Sequence, residues 1–388
     1  MTSVDRQSAE ARPLLRRKMP ELDSVRGVAV LMVLFYHGFA TRQDPDAFTG
    51  LAKLFVRSLS LGWTGVNLFF ALSGFLITGI LLDSKDHPQY YRRFYLRRAL
   101  RILPAYYALL VLLAWLGRFG MQGENISFAF LGLSAIYLAN VTVFFGVPMQ
   151  FPVLWSLAVE EHFYLIWPTA VRNMSRRAIG IVAVVIAVAS TLARVIAWSM
   201  GRDFFAHYTW MVADGLALGS LLAVLMRGPL GTRKGLLWIL LSVSAAGLAP
   251  VLVDFLIHRP LAGGSLHITA VNLLSMAAIA GSLLLGTSAW RGLVQHRILT
   301  FFGEISYGLY LIHMLVFNLF DNLQHQFFPR VPSFKGHFDV MTVRFLISGS
   351  IAILLALLSR RYFEQRFLRL KDRDLSSSAD GVREAAAA

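Results

Sequence analysis

Cysteine is absent from the 388 residues. That removes disulfides, thiolate metal sites and any cysteine-bound acyl intermediate, whatever compartment the chain occupies. Charge is scarce too, and acidic charge scarcest: 15% of residues are charged, with 22 Asp and Glu against 37 Lys and Arg. No gap of soluble-domain length separates the apolar runs, and no heptad pattern, internal repeat or inverted symmetry can be counted. With 56% hydrophobic residues and a mean hydropathy of +0.59, the class is an all-α polytopic membrane protein.

Apolar runs suited to spanning lie near 25–41, 64–82, 99–117, 153–171, 178–199, 208–226, 236–256, 267–288, 302–321 and 342–360. A further run at 128–147 is ambiguous by hydropathy, and loop charge decides it. If it spans, Arg172, Arg176 and Arg177 fall outside and every later loop inverts. If it does not, most of the 37 Lys and Arg gather on one side, the positive-inside pattern. The sequence therefore predicts about ten transmembrane helices around a central cavity, with both termini cytoplasmic. The 128–147 piece becomes re-entrant or interfacial on the outer side. Residues 1–20 read as a flexible basic tail with no small-x-small cleavage pattern after the first apolar run. Residues 21–364 form the membrane domain and 365–388 a polar tail. A basic cytoplasmic rim facing anionic lipid accounts for the net charge of +15 without nucleic acid.

Polar residues inside apolar runs carry the functional signal, because bulk lipid makes each of them costly. In ELDSVRGVAVLMVLFYH, residues 21–37, Arg26 and His37 stand eleven positions apart. On an α-helix they share a face, about 16 Å apart along the axis. A neutral imidazole beside a hydroxyl suits general-base work, since its ordinary pKa of about 6.5 lies near neutrality. The plainer alternative is an interfacial arginine and a histidine bonded to a backbone carbonyl.

RRFYLRRALRILPAYY, residues 92–107, sets Arg97, Arg98 and Arg101 at the mouth of the third span. Guanidinium forks bond two phosphate oxygens at once, which points to a phosphorylated cytosolic ligand; a topogenic cluster is the alternative. LWSLAVEEHFYLIWP, residues 154–168, holds Glu160 and Glu161 beside Trp155 and Ser156. Adjacent side chains point about 100° apart on a helix, so one carboxylate is expected in a cavity and the other at a helix interface. Glu160 is the candidate for holding acceptor hydroxyls or orienting the base. ISYGLYLIHM, residues 305–314, places Ser306, Tyr310 and His313 on one helical stripe, with Tyr307 alongside. In TGVNLFFALSGFLIT, residues 64–78, Gly65, Ser73 and Gly74 are small enough for close helix approach. Arg194 and Asp214 read as a structural pair.

These stretches together resemble the acyltransferase family 3 membrane proteins. An R/K-x10-H element is matched by Arg26 and His37, and an FF-x-LSGFL element by Phe69 to Leu76. Arg98 and Arg101 match RxxR. Trp155, Ser156, Leu157, Glu160, Phe163, Tyr164, Leu165 and Pro168 match WSLxxExxFYLxxP. Ser306, Tyr307, Tyr310, Leu311 and His313 match SYxxYLxH. Ser359 to Glu364 looks like the family's closing signature. The departures are small: His162 stands where glutamine is usual, and Glu304 precedes the SY element.

The resemblance implies O-acylation of a carbohydrate or other hydroxyl acceptor, with acetyl-CoA (acyl-CoA) as cytosolic co-substrate and no metal, in the cytoplasmic membrane of a prokaryote. It implies His37 as base with Arg26 and Glu160 in the catalytic set, and Arg98, Arg101 and Arg97 on the CoA phosphates. Ser306, Tyr307, Tyr310, His313, Trp155, Ser156 and Ser73 would line the site. Two other readings stay open: a glycan or metabolite transporter without acyl transfer, and acylation of a cytosolic secondary metabolite. A direct transfer demands that both ends of the Arg26–His37 helix open on one continuous cavity.

Overall fold

A run of twenty apolar residues in a bilayer has one economical backbone, the α-helix, because no water is present to satisfy its N–H and C=O groups. The computed structural model, which describes residues 14–16, 18–41, 43–118, 126–202, 207–257, 264–332 and 335–370, is helical over most of those residues, with no strand among them. Most of both predicted tails lies outside the described residues.

Each of the ten predicted runs is a helix. In chain order they are α1 (Pro20–Phe35), α3 (Thr64–Asp83), α4 (Tyr90–Arg118), α6 (Leu154–Asn173), α7 (Arg176–Ser199), α8 (Thr209–Met226), α9 (Arg233–Ile257), α10 (Ser265–Gly286), α12 (Arg297–Phe327) and α13 (Phe338–Leu358). Three shorter helices join them: α2 (Gly50–Leu59), α5 (Phe128–Ala135) and α11 (Arg291–Val294). Among the described residues, nine helical stretches are long and apolar enough to cross a membrane. The tenth, α6, has the length at 20 residues, but Glu160, Glu161 and His162 at its centre dilute its hydropathy. It sits among the other helices, with Leu154, Ala158, Val159, Tyr164 and Trp167 buried.

The 128–147 segment does not span. Helix α5 has eight residues, about 12 Å against a hydrocarbon core of roughly 30 Å. Ser127 caps it by accepting from the Phe130 N–H at 3.1 Å. The chain then reverses through Tyr137 at φ 59° and a 3₁₀ turn at Thr142–Phe145. The preceding 42–63 connection, which carries no readable pattern in sequence, contains α2, whose Leu51 and Leu54 project outwards.

Two interruptions fall on motif residues. Helix α1 passes into a π-turn at Tyr36–Ala40, and α13 into another at Ser359–Glu364. The expected single α-helix through 25–41 therefore stops at Phe35, and His37 rides on the wider turn. Wide turns of this kind recur at functional sites.

Glycines set the closest crossings. A Cβ on Gly303 of α12 would fall 1.9 Å from the Asp23 carbonyl oxygen of α1, and one on Gly27 would fall 2.0 Å from that of Leu299. Helices α3 and α8 approach in the same way at Gly74 and Gly219. Arg194 and Asp214 form a buried bidentate pair at 2.6 and 3.1 Å, with Thr269 accepting a further bond from Arg194 at 2.6 Å. Its role is to join α7, α8 and α10, as the sequence suggested.

Candidate active site

Five helices turn side chains, most of them polar, towards one shared space. Helix α1 supplies Arg26, α3 supplies Phe69, Phe70 and Ser73, and α4 supplies Arg98 and Arg101. Helix α6 supplies Ser156, Glu160, Glu161 and Tyr164, and α12 supplies Ser306, Tyr307 and Tyr310. The members of each stripe stand three or four residues apart, or next to one another, as one helix face requires. This inner cavity measures about 90 Å³.

Its electrostatics are uneven. Arg26 is paired with Asp23 at 2.9 Å. Arg98 lies over the Tyr164 ring, 4.6 Å from the centroid. Among the described residues no carboxylate stands within ion-pair distance of Arg98 or Arg101, and Arg101 is exposed, lining the cavity with part of its surface. Glu160 is tied on both oxygens, accepting from Ser73 at 2.8 Å and from Tyr164 at 2.9 Å. Glu161 lines the same cavity with no hydrogen bond or ion pair among the described residues.

That arrangement corrects two expectations. Both carboxylates face the cavity, because the space is broad enough to take an arc of about 100° of α6. Glu160 does not orient His37; it fixes Ser73 and the tyrosine under Arg98. Arg97 also departs from expectation, since it lines an adjoining basic vestibule with His87, Tyr90 and Arg93 rather than the inner cavity. Arg98 and Arg101 border both spaces, so the vestibule, about 190 Å³, leads into the inner cavity past two unpaired cations.

His37 lines a third space on the far side, about 330 Å³, with Tyr36, Trp63, Asn67, Trp155 and His207. Its Nδ1 lies 3.0 Å from the Val33 carbonyl oxygen and 3.2 Å from Nε2 of His313. His313 is 1% exposed, and its Nδ1 lies 3.1 Å from the Leu309 carbonyl oxygen. A carbonyl only accepts, so both Nδ1 atoms carry the proton. His313 Nε2 is then an acceptor towards His37, and His37 Nε2 is left with an open lone pair. The backbone-bonded alternative for His37 and the general-base reading thus describe one arrangement.

Val66, Phe70 and Tyr310 line both the inner and the outer cavity. They form a partition one side chain thick. The Tyr310 hydroxyl is held 2.5 Å from Ser156 Oγ, and Phe69 meets the Tyr310 ring edge-on at 5.8 Å. The two ends of the Arg26–His37 helix therefore open on two cavities that share a wall.

The α12 stripe runs across that wall: Ser306 on the inner side, Tyr310 in the wall, and His313 behind His37. Ser306 donates to the Gly303 carbonyl at 2.8 Å and Tyr307 to that of Ile102 at 2.8 Å, so both hydroxyls have their protons committed. Trp155 and Ser156, neighbours in sequence, face different cavities. Sequence spacing does not single out Asn67, His207 or Arg344, and it leaves open which of Glu160 and Glu161 faces the cavity. Asn67 and Arg344 carry the available signal, each a lone polar residue in an apolar run. His207 sits in a connection and gives none.

Residues 19–361 match the profile of a family described as "Acyltransferase domain". The peptidoglycan O-acetyltransferase OatA of Listeria monocytogenes is 34% identical over 166 residues, 39% of this chain and 24% of that protein. A Staphylococcus aureus protein provisionally named as an O-acetyltransferase is 27% identical over 380 residues, 90% of this chain and 57% of its own length. The chain thus spans less than two thirds of the length of these relatives. No solved structure matches.

Proposed function

The chain belongs to acyltransferase family 3, and from that premise we propose an integral-membrane O-acetyltransferase that moves acetyl from cytosolic acetyl-CoA to a hydroxyl of a cell-wall or other carbohydrate acceptor. One observation carries the reading: unpaired arginines in a donor-side cavity stand across a one-residue partition from a histidine with an open Nε2. Both termini lie in the cytoplasm in this reading, which rests on the distribution of Lys and Arg. His37 then faces the outer side.

The donor fits the residues present. Two guanidiniums without carboxylate partners in a cavity need anions, and the vestibule adds Arg93 and Arg97. Arg98 and Arg101 hold the phosphates by forked, charge-assisted bonds. Arg26, already paired with Asp23, sets the positive field of the cavity rather than gripping a phosphate alone. The acceptor enters the outer cavity and places its hydroxyl against His37.

His37 Nε2 takes the hydroxyl proton as the oxygen attacks the thioester carbonyl carbon. The tetrahedral adduct collapses with cleavage of the C–S bond, and the imidazolium returns its proton to the CoA sulfur. His37 Nδ1–H stays on the ring throughout, donating to the Val33 carbonyl and to His313 Nε2, which fixes the ring and its tautomer. The Tyr310 hydroxyl stands in the partition, where an oxyanion donor is needed. Direct transfer demands one continuous cavity, so in this reading Val66 and Phe70 swing aside to join the two spaces while Ser156 keeps the Tyr310 hydroxyl in place.

Purified chain in nanodiscs, given labelled acetyl-CoA and cell-wall glycan fragments, should transfer label and release CoA. His37→Ala should lower turnover by roughly 10²–10⁴-fold. Wild-type turnover from His37→Ala would sink the assignment. An acceptor that changes sides without gaining an acetyl group would identify a transporter instead.

A further inference from the structure

Arg344 is a lone arginine in the apolar helix α13 and is 4% exposed. Nothing in the donor or acceptor cavity accounts for it, since it lines neither. A charge retained inside a membrane segment at such cost calls for a function.

Its guanidinium is used on three sides. Nε and Nη2 donate to the two carboxylate oxygens of Asp321 on α12, at 2.5 and 2.8 Å. The plane lies over Phe317, 4.5 Å from the ring centroid. Nη1, the remaining arm, donates to the carbonyl oxygens of Gly38 at 3.2 Å and His37 at 3.5 Å. Those carbonyls belong to the π-turn that ends α1, where a helix runs out of its own donors.

The packing around the turn allows that reach. A Cβ on Gly38 would fall 2.2 Å from the ring of Phe345, so only glycine lets α13 come close enough for its Arg344 to meet the turn. The other anchors of His37 act on its ring, through Val33 and His313. Arg344 acts on its backbone.

We propose that Arg344, clamped by Asp321, is a positioning residue that holds the His37 π-turn so that His37 Nε2 faces the acceptor cavity. The ion pair fixes the fork, and the fork fixes the turn. This rests on His37 being the base of the proposed transfer. Near-attack geometry is demanding, and a displacement of about 1 Å can cost on the order of 10²-fold in rate.

The test compares kcat and KM for acetyl-CoA and for the glycan acceptor across Arg344→Gln, Asp321→Asn, the double variant and His37→Ala. The full chain is assayed in nanodiscs, with thermal midpoints measured in parallel. Arg344→Gln should lower kcat by about tenfold or more with donor KM within about twofold. Asp321→Asn should act in the same direction but less, and the double variant should be no worse than Arg344→Gln alone. If Arg344→Gln does not accumulate, Arg344→Lys serves in its place. It keeps the charge, but one ammonium cannot hold carboxylate and carbonyls in the same fork, so kcat should still fall. Wild-type kcat in the Arg344 variant, a loss confined to KM, or multiplicative losses in the double variant would overturn the proposal. Wild-type turnover from His37→Ala would overturn the underlying reading instead.

Discussion

Arg98 and Arg101 are adjacent rungs of one helix face, and their value lies in what they lack. A guanidinium beside a carboxylate is already satisfied, as Arg227 is by Asp83 at 2.6 Å. The cavity pair has no such partner among the described residues. Incoming phosphate is the anion that would complete it. Arg101→Gln should therefore raise the KM for acetyl-CoA at least about tenfold while changing kcat little, because it removes binding shared by ground and transition states. Steady-state kinetics across acetyl-CoA concentrations check this. A fall in kcat alone would move Arg101 from binding to chemistry. Spacing made the arginines and His37 legible, since each interrupts an apolar run. Pairing was not legible. Arg26 is held by Asp23 and Glu160 by Tyr164 at helical spacing, where the sequence permits a pair without requiring it, whereas the bond from Ser73 to Glu160 joins two helices and no linear pattern encodes it.

At the scale of the element, membrane helices associate by close packing rather than by hydrophobic driving force. The small residues in the TGVNLFFALSGFLIT stretch showed that close approach was wanted, and Gly74 indeed meets the Leu216 backbone. Which partner it would meet was beyond the sequence. The α1–α12 crossing matters most for the site, because it holds His37 against His313. Gly303→Val would thrust side-chain carbons into the Asp23 carbonyl, and overpacking of this kind costs about 1–3 kcal/mol. The variant should show a lower thermal midpoint in detergent and a loss of activity per folded molecule. Unchanged midpoint and activity would mean that the crossing tolerates separation. The π-turns are a different case. Tyr36–Ala40 reads in sequence as the end of a plain apolar helix, and the donor to its carbonyls, Arg344, comes from another helix more than 300 residues along the chain.

The whole molecule is a bundle with a basic vestibule, an inner cavity and an outer cavity in succession, each sharing lining residues with the next. Its orientation can be tested directly, because the chain has no cysteine and a single introduced thiol has no background. Asp86→Cys, between α3 and α4, should react with a membrane-impermeant maleimide only after the cytoplasmic side is opened. Asp46→Cys, after the first span, and Asp339→Cys, at the start of α13, should react in intact cells. The opposite pattern would invert the topology and place His37 in the cytosol.

The sequence alone determined the class, the ten helices and the residues that disturb them, because hydropathy and helical spacing are local properties of the chain. It also fixed the order of the motifs by which the family is recognised. Tertiary structure decided which disturbing residues meet. Only the packed bundle puts Glu160 and Glu161 in one cavity, His313 behind His37, and Arg344 on the turn that carries it. It also decided that the Arg26–His37 helix opens on two cavities rather than one. The wall between them is built from Val66, Phe70 and Tyr310, on helices brought together by backbone contact at glycine, and such contact depends on shape in three dimensions.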